Sequence, residues 1–302
     1  MKRAVRGKAT AFSARVIATY GRTSMLEGEH GELWSAVRRG RRSDVVVGDQ
    51  VTATASAEGQ AAIESIAQRS SLLYRTDAFR IKELAANVNQ VLVVFASRPS
   101  FNLWFIWKAL LAARAAGIEA TLVRNKTDLT EGAETAQAAL DDIRRLGWRT
   151  LAISVRGDAA AAIAQLTPLT HDRRSLLVGQ SGMGKSTLLN LLVPDAQART
   201  REFSERLDQG KQTTTAARWF DLPAGGALID TPGFQEFGLA HLTAADVVAG
   251  FPEFAPHLGC CRFLDCRHLV EPECAIRRAV ESGRIAPGRY EFYRSLAETR
   301  TR

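Results

Sequence analysis

The stretch that most constrains this chain is residues 175–192, where an apolar run, a glycine-rich octet and a helical pattern follow one another. Ser175-Leu176-Leu177-Val178 predicts a buried strand, and Lys185 to Leu192 predicts a helix. Between them, Gly179-Gln180-Ser181-Gly182-Met183-Gly184-Lys185-Ser186 fits G-x-x-x-x-G-K-S/T. In that context, successive N–H groups around Ser181 to Lys185 can wrap a phosphate. The glycines let the backbone come close, and the helix N-terminus adds partial positive charge. Lys185 is placed to reach the β- and γ-phosphates, and Ser186, with Thr187 beside it, to hold Mg²⁺ and nucleotide.

The octet does not choose the base. Asn125-Lys126-Thr127-Asp128, directly after the strand predicted for Ile118 to Val123, does. The Asp128 carboxylate can accept from both N1–H and the exocyclic amine of guanine, whereas adenine would leave it unpaired. A kinase built on the same phosphate loop is disfavoured for that reason. Ser154-Val155, after the next predicted strand, offers a further contact to the base. Asp230-Thr231-Pro232-Gly233 follows the strand at Ala227 to Ile229; Asp230 suits Mg²⁺ through water, and the Gly233 N–H suits the γ-phosphate. Thr213-Thr214-Thr215 lies between, and a threonine there can close on Mg²⁺ when the γ-phosphate is present; Thr214 is our choice of the three.

N-K-x-D comes before the phosphate loop here, the reverse of the usual GTPase order. A parallel sheet fixes positions in space, so one pocket can be rebuilt from a rotated chain order. The chain then runs from D-x-x-G straight into the C-terminal piece, and nucleotide state is expected to be transmitted there.

Cys260, Cys261, Cys266 and Cys274 cluster beside His268 rather than spreading along the chain, which argues for metal over disulfides. Cys261-x4-Cys266-x-His268-x5-Cys274 supplies three sulfurs and one nitrogen, a closed tetrahedral set for one structural Zn²⁺. Cys260 could replace Cys261, and His257 is a further candidate. Such binding is worth on the order of 10–16 kcal/mol in zinc-finger peptides, enough to order a small piece.

The fold class expected is multidomain α/β. Residues 1–72 predict an N-terminal OB-type β-barrel, from Ala9 to Thr19, glycines at 21, 28, 31 and 40, and a strand, turn and strand over Val45 to Val51. Residues 73–239 alternate strand and helix, giving a circularly permuted GTPase domain on a mostly parallel sheet. Residues 240–302 predict a helical zinc-binding domain, with helices over 275–283 and 289–298. The 302 residues, 46% hydrophobic and 24% charged, exclude wholesale disorder. The net charge of +8, with many arginines in the barrel, Arg15 and Arg38 among them, suggests a nucleic-acid partner. No apolar run reaches the roughly 18 residues of a membrane span. The basic start, Met1 to Arg6, has no apolar stretch after it, so a cytoplasmic protein without a secretory signal is expected.

Taken together, these residues resemble the small ribosomal subunit biogenesis GTPases of the circularly permuted, ribosome-dependent type, the RsgA family. The similarity covers nearly the whole chain. Gly210-Lys211-Gln212-Thr213-Thr214-Thr215 resembles the family's switch one, Asp230 to Phe234 its switch two, and Cys261 to His268 its zinc knuckle, which favours Cys261 over Cys260. The resemblance implies a GTPase that binds the small ribosomal subunit and its rRNA, acts in late maturation, and is stimulated by the subunit to hydrolyse GTP to GDP and phosphate. A monomer with one Zn²⁺, and Mg²⁺ accompanying GTP, is expected. Two departures stand out: Gln212 where the family usually has histidine, and Asn89 where it usually has aspartate. Ordinary GTPases carry glutamine just after D-x-x-G to orient the attacking water, but Phe234 stands there, so intrinsic hydrolysis should be slow. Gln212, Gln235 or a ribosomal group could supply that hydrogen bond; we favour Gln212, alongside Lys185, Thr214 and Gly233. Near the cysteines, Phe251, Phe254, Phe263, Tyr290, Phe292 and Tyr293 read as core, and Arg277, Arg278, Arg284, Arg289 and Arg294 as candidate rRNA phosphate contacts.

Overall fold

A computed structural model describes residues 11–40, 44–76, 81–197, 217–234 and 236–299. Gln212, the three threonines Thr213, Thr214 and Thr215, and Gln235 lie outside the described residues.

Strands β1 (Ala11–Tyr20), β2 (Thr23–Gly28), β3 (Leu33–Arg38), β4 (Gln50–Ala57) and β5 (Gln60–Ile66) pair in the order β1-β2-β3-β5-β4. β4 returns to β1, from Ala11 opposite Thr54 to Arg15 opposite Gln50, so the barrel closes. Closure removes the edges that short strands would otherwise expose. Its interior is filled by alanines and branched aliphatic side chains, Ala14, Val16, Leu26, Ala36, Val51, Ala53, Ala61 and Ile63.

Of the strand, Gly-Asp turn and strand expected over Val45 to Val51, the turn at Gly48 and the strand from Gln50 form, but the first strand, Val45 to Val47, does not. That stretch is a loop, with a single parallel bridge from Val47 to Ala85. The reason is local. Asp49 is fully buried and accepts from the Val46 N–H at 2.9 Å and from Arg69 Nε at 2.7 Å. Gly48, at φ +91°, lets the backbone lie where a Cβ would sit 2.1 Å from the Ala86 carbonyl oxygen. The hairpin β6 (Leu72–Thr76) and β7 (Ile81–Ala86) follows the barrel and was not visible as alternation in the sequence.

The second part runs β8 (Gln90–Ala96), α1 (Leu103–Ala115), β9 (Glu119–Asn125), α2 (Ala133–Arg145), β10 (Arg149–Ala152), α3 (Ala159–Thr170), β11 (Arg174–Val178), α4 (Lys185–Leu192), β12 (Arg218–Asp221) and β13 (Ala227–Asp230). The strand order is β10-β9-β8-β11-β13-β12, parallel except for β12, which runs against β13. Every residue of β8 is buried, which is why its apolar run shows no alternation. β9 and β10 extend to one side of β8, while β11 and β13 extend to the other. That reversal opens a crevice at the carboxyl ends of β8 and β11.

β12 also meets the barrel, with Arg218 opposite Ala18 of β1. Arg15 reinforces the junction: it pairs with Glu27 at 2.5 Å and Asp221 at 3.2 Å, and lies 4.4 Å from the Trp219 ring centroid. Arg15, and Arg38 paired with Asp44, are therefore engaged inside the protein.

The C-terminal part contains α5 (Ala244–Ala249), a 3-10 turn (Pro252–His257), α6 (Ala275–Glu281) and α7 (Pro287–Glu298). A capping box from Thr243 and Asp246 starts α5. Phe251, Phe254, Phe292 and Tyr293 are buried as expected, and Phe292 packs 5.4 Å from Trp107 of α1. Two expectations fail. Phe263 is 41% exposed rather than core. Arg289 is buried, donates to Glu253 at 2.7 Å and lies 4.4 Å from the Phe251 ring, so a cation that must stay paired and covered by aromatic faces cannot serve as an rRNA contact. Among the described residues, no helix is long and apolar enough to cross a membrane.

Candidate functional site

The loop after β11 is shaped by its glycines. Gly182 and Gly184 have φ of +78° and +92°, and a Cβ on Gly184 would sit 2.3 Å from Asn125 Nδ2. At Gly179 a Cβ would sit 2.3 Å from the Val94 carbonyl oxygen. Met183 is buried beneath the loop, while Ser181 and Ser186 face outward. α4 opens at Lys185, so its first N–H groups point toward the loop. Lys185 Nζ donates to the carbonyls of Gly179 at 2.5 Å and Gln180 at 3.0 Å.

The motif at the end of β9 is bound to that loop. Asn125, buried, donates from Nδ2 to the Met183 carbonyl at 3.1 Å and accepts at Oδ1 from the Val155 N–H at 3.3 Å. Lys126, at φ +58°, donates from Nζ to the carbonyls of Gly182 at 2.6 Å and Arg98 at 3.0 Å. Thr127 donates its N–H to the Ile153 carbonyl at 3.2 Å. The Ser154 hydroxyl donates to Asp128, so the loop after β10 orients that exposed carboxylate.

Asp230 ends β13, beside β11 in the sheet. Burial pushes the Lys185 ammonium down, opposed by the Asp230 carboxylate. Burial likewise pushes the Asp230 carboxyl up, opposed by the charges of Lys185 and Arg218 and by the Thr231 N–H. Gly233 is exposed at φ +68°. Phe234 turns inward, 4.7 Å from Phe237 and 6.1 Å from Phe105 between ring centroids. The side chain after D-x-x-G therefore belongs to the core and orients no water. Residues 236–238 then lie along β6: Thr76 donates its N–H to the Glu236 carbonyl at 3.1 Å, and Gly238 to that of Tyr74 at 2.9 Å. Lys108 of α1 pairs with Glu236. The chain thus docks on the hairpin before it enters the C-terminal part.

Sequence reasoning missed the segment before α1. Gln180 Oε1 accepts from the Asn102 N–H at 2.7 Å, and Pro99 lies 3.0 Å from where a Gly182 Cβ would stand. Asn102 also caps α1, a position its residue type could have signalled. Asn89 sits at the far end of β8 from the loops and accepts from the Arg174 N–H at 2.7 Å. An amide oxygen does there what a carboxylate would, so this departure leaves the pocket untouched.

In the C-terminal part, Cys261, Cys266, His268 and Cys274 bring one ligand atom each within 4.8 Å of one another. His268 Nδ1 is 3.5 Å from the sulfurs of both Cys261 and Cys274. Cys260 is exposed and, like His257, is not part of this group. Burial pushes the Cys266 thiol up, helped by its sulfur neighbours, and pushes the His268 imidazolium down. Burial also opposes ionisation of Cys261, but hydrogen bonds, including one from the Ala275 N–H, outweigh it and hold that thiol down. Three thiols this close cannot all ionise without a cation among them. The donor set fits one tetrahedral Zn²⁺. Tyr290 and Tyr293 brace it, donating to the carbonyls of His268 at 2.8 Å and Arg267 at 2.7 Å.

Because β9 precedes β11 in the chain and yet lies with it around one crevice, the pocket is that of a GTPase whose chain order has been circularly permuted. The RsgA GTPase family model matches residues 66–240. A protein of Ralstonia pickettii (strain 12J), named small ribosomal subunit biogenesis GTPase RsgA, is 46% identical over 97% of this chain and 95% of its own length. The protein of that name from Bordetella pertussis (strain Tohama I) is 46% identical over 92% of this chain and 93% of its own. Among solved structures, YjeQ from Thermotoga maritima superposes with a TM-score of 0.70 at 28% identity, covering 97% of this chain and 99% of that one. YloQ, described as a circularly permuted GTPase, gives 0.66 at 24% identity, covering 99% and 98%. The chain belongs to the RsgA GTPase family.

Proposed function

We propose that this protein hydrolyses GTP to GDP and phosphate while bound to the small ribosomal subunit, in the late maturation of that subunit, and leaves when hydrolysis is complete. The observation that carries the reading is the bond from Asn125 to the Met183 carbonyl, which joins a guanine-reading motif to a phosphate loop. The relatives named small ribosomal subunit biogenesis GTPase support the ribosomal part.

In this reading, Asp128 and Ser154 hold the guanine edge, with Asn125, Lys126 and Thr127 shaping its loop. Gly179 to Gly184 cradle the phosphates, Lys185 neutralises them, and Ser186 and Thr187 follow at the helix start. Ser186 and, through water, Asp230 would hold Mg²⁺, which spreads the charge on the β- and γ-oxygens. Thr214 would close on that ion, Gly233 would donate its N–H to the γ-phosphate, and Gln212 would orient the attacking water. Cys261, Cys266, His268 and Cys274 would hold one structural Zn²⁺. The barrel, within residues 1–72, and the zinc unit, within 240–302, flank the GTPase unit at 73–239 and grip rRNA. The protein acts as a cytoplasmic monomer.

GTP hydrolysis measured with and without purified small subunits tests the proposal. Strong stimulation is expected. An unchanged rate would favour a nucleotide-controlled RNA-binding module in which hydrolysis is incidental. A Gln212→Ala variant with full stimulation would remove Gln212 from the water-positioning role.

A further inference from the structure

Lys108 of α1 has no part in the nucleotide reading. It stands three residues after Phe105, so the two share a face of that helix. Both reach the segment that follows D-x-x-G. Phe105 meets Phe234 edge to face, at 6.1 Å between ring centroids, and Lys108 pairs with the Glu236 carboxylate. From Glu236 onward the backbone is laid against β6. The Thr76 N–H donates to the Glu236 carbonyl at 3.1 Å, Phe237 bridges to Arg75, and the Gly238 N–H donates to the Tyr74 carbonyl at 2.9 Å. That approach is close: a Cβ on Gly238 would stand 3.1 Å from the Arg75 carbonyl oxygen.

Gly233 lies just upstream of these anchors. It is exposed, at φ +68°, in a turn closed by the Phe234 N–H on the Thr231 carbonyl at 3.2 Å. On one side the turn continues from β13, and on the other it ends in Phe234 and the Glu236 pair. The side chains of Lys108 and Glu236 are 25% and 41% exposed, and an ion pair so open to water adds little to folding. It does add direction, which the apolar contact of Phe234 lacks. A hydrogen bond to an incoming oxygen depends on distance and angle, so the donor must be held in place beforehand. We propose that Lys108 is a positioning residue for the γ-phosphate: by holding Glu236 it fixes the turn, so that the Gly233 N–H stands where that phosphate arrives. Lys108 itself touches neither nucleotide nor water in this role. The inference rests on the guanine-nucleotide reading above.

The test uses the full chain with Mg²⁺, titrated with a fluorescent, non-hydrolysable GTP analogue and, in parallel, with fluorescent GDP. GDP lacks the γ-phosphate, so a general loosening of the pocket would weaken both ligands, whereas a displaced Gly233 weakens the analogue alone. The expected result is analogue binding about fivefold weaker in Lys108→Met, which keeps the aliphatic stem, and in Glu236→Gln, with GDP unchanged. Lys108→Glu and Glu236→Lys should each weaken the analogue, and the double variant, with the charges exchanged, should regain most of the loss. Equal losses for the two ligands, an analogue that binds unchanged or tighter, or a double variant no better than the singles overturns the proposal. Should Lys108→Met fail to fold, Glu236→Gln decides by the same criterion. A wild-type chain that binds neither ligand overturns the nucleotide reading and this inference with it; wild-type binding of both with indifferent variants overturns this inference alone.

Discussion

The side-chain amide of Asn125 donates to the main-chain carbonyl of Met183 at 3.1 Å, across 58 positions of sequence. With its own carbonyl accepting from the Val155 N–H, Asn125 fastens three loops, those after β9, β10 and β11, into one rim. Neither bond contacts a nucleotide by itself. Together they fix how far the base reader stands from the phosphate cradle.

Asn125→Ala would strand a buried carbonyl and a buried N–H. At about 1–3 kcal/mol for each unsatisfied group, a loss of about 2 kcal/mol in unfolding free energy is expected after relaxation. Urea denaturation measures that loss, and nucleotide titration should show weaker GDP binding alongside it. Wild-type stability would mean that the rim is held otherwise.

Gly184→Ala should abolish nucleotide binding. Its φ is +92°, and the new Cβ would stand 2.3 Å from Asn125 Nδ2, so the change both strains the backbone and displaces the fastening residue. Gly117 is the control: φ is +67°, with nothing within 4 Å of a Cβ. Gly117→Ala should cost about 1 kcal/mol of stability and leave GDP binding unchanged, as read by thermal melting and titration.

Asp128→Ala should erase the preference for GTP over ATP. The carboxylate is oriented by the Ser154 hydroxyl and is the group that can read the two guanine donors. Losing a charge-assisted pair to the base should cost about two decades of discrimination, and competition between GTP and ATP for the site measures it. An unchanged preference would mean that the base is read elsewhere.

Arg289→Ala should destabilise the C-terminal part by about 3 kcal/mol, because it leaves Glu253 buried without its partner. Replacing both residues by apolar ones, Arg289→Met with Glu253→Leu, should recover most of that loss. Denaturation of the single and double variants measures it. Equal losses in both would point to packing rather than charge.

A strong zinc chelator should unfold the C-terminal part while leaving GDP affinity within about twofold, because among the described residues the ligand atoms contact one another and the Ala275 N–H, not the phosphate loop. Trp104 and Trp107 pack against Phe292 of α7, so their emission should shift to the red as that contact opens. Unchanged emission after metal removal would show that the aromatic core stands without the ion.

Much of this molecule is legible from the chain because its signals are short-range. The octet from Gly179 to Ser186 carries its own backbone requirement, and Lys185 to Leu192 forms the predicted helix to the residue. β8 is readable as a strand because burial on both faces removes alternation. Val45 to Val47 mimic a strand as three consecutive valines, but the carboxylate of Asp49 and the space at Gly48 override them. The β6–β7 hairpin escaped because its partners are not local: residues 236–238 flank one side and Val47 the other.

By itself, the chain determined which groups can perform the chemistry: a glycine cradle, a guanine-reading carboxylate, and three thiols with an imidazole. Those depend on residue type and spacing, which a polymer carries even when unfolded. Tertiary structure decided what each group answers to. It put Asn125 under the phosphate loop, turned Phe234 into the core, buried Arg289 between aromatic rings and set Arg218 between Tyr20 and Asp230. The physical reason is that strand order and register, rather than distance along the chain, determine which side chains share a low-dielectric space.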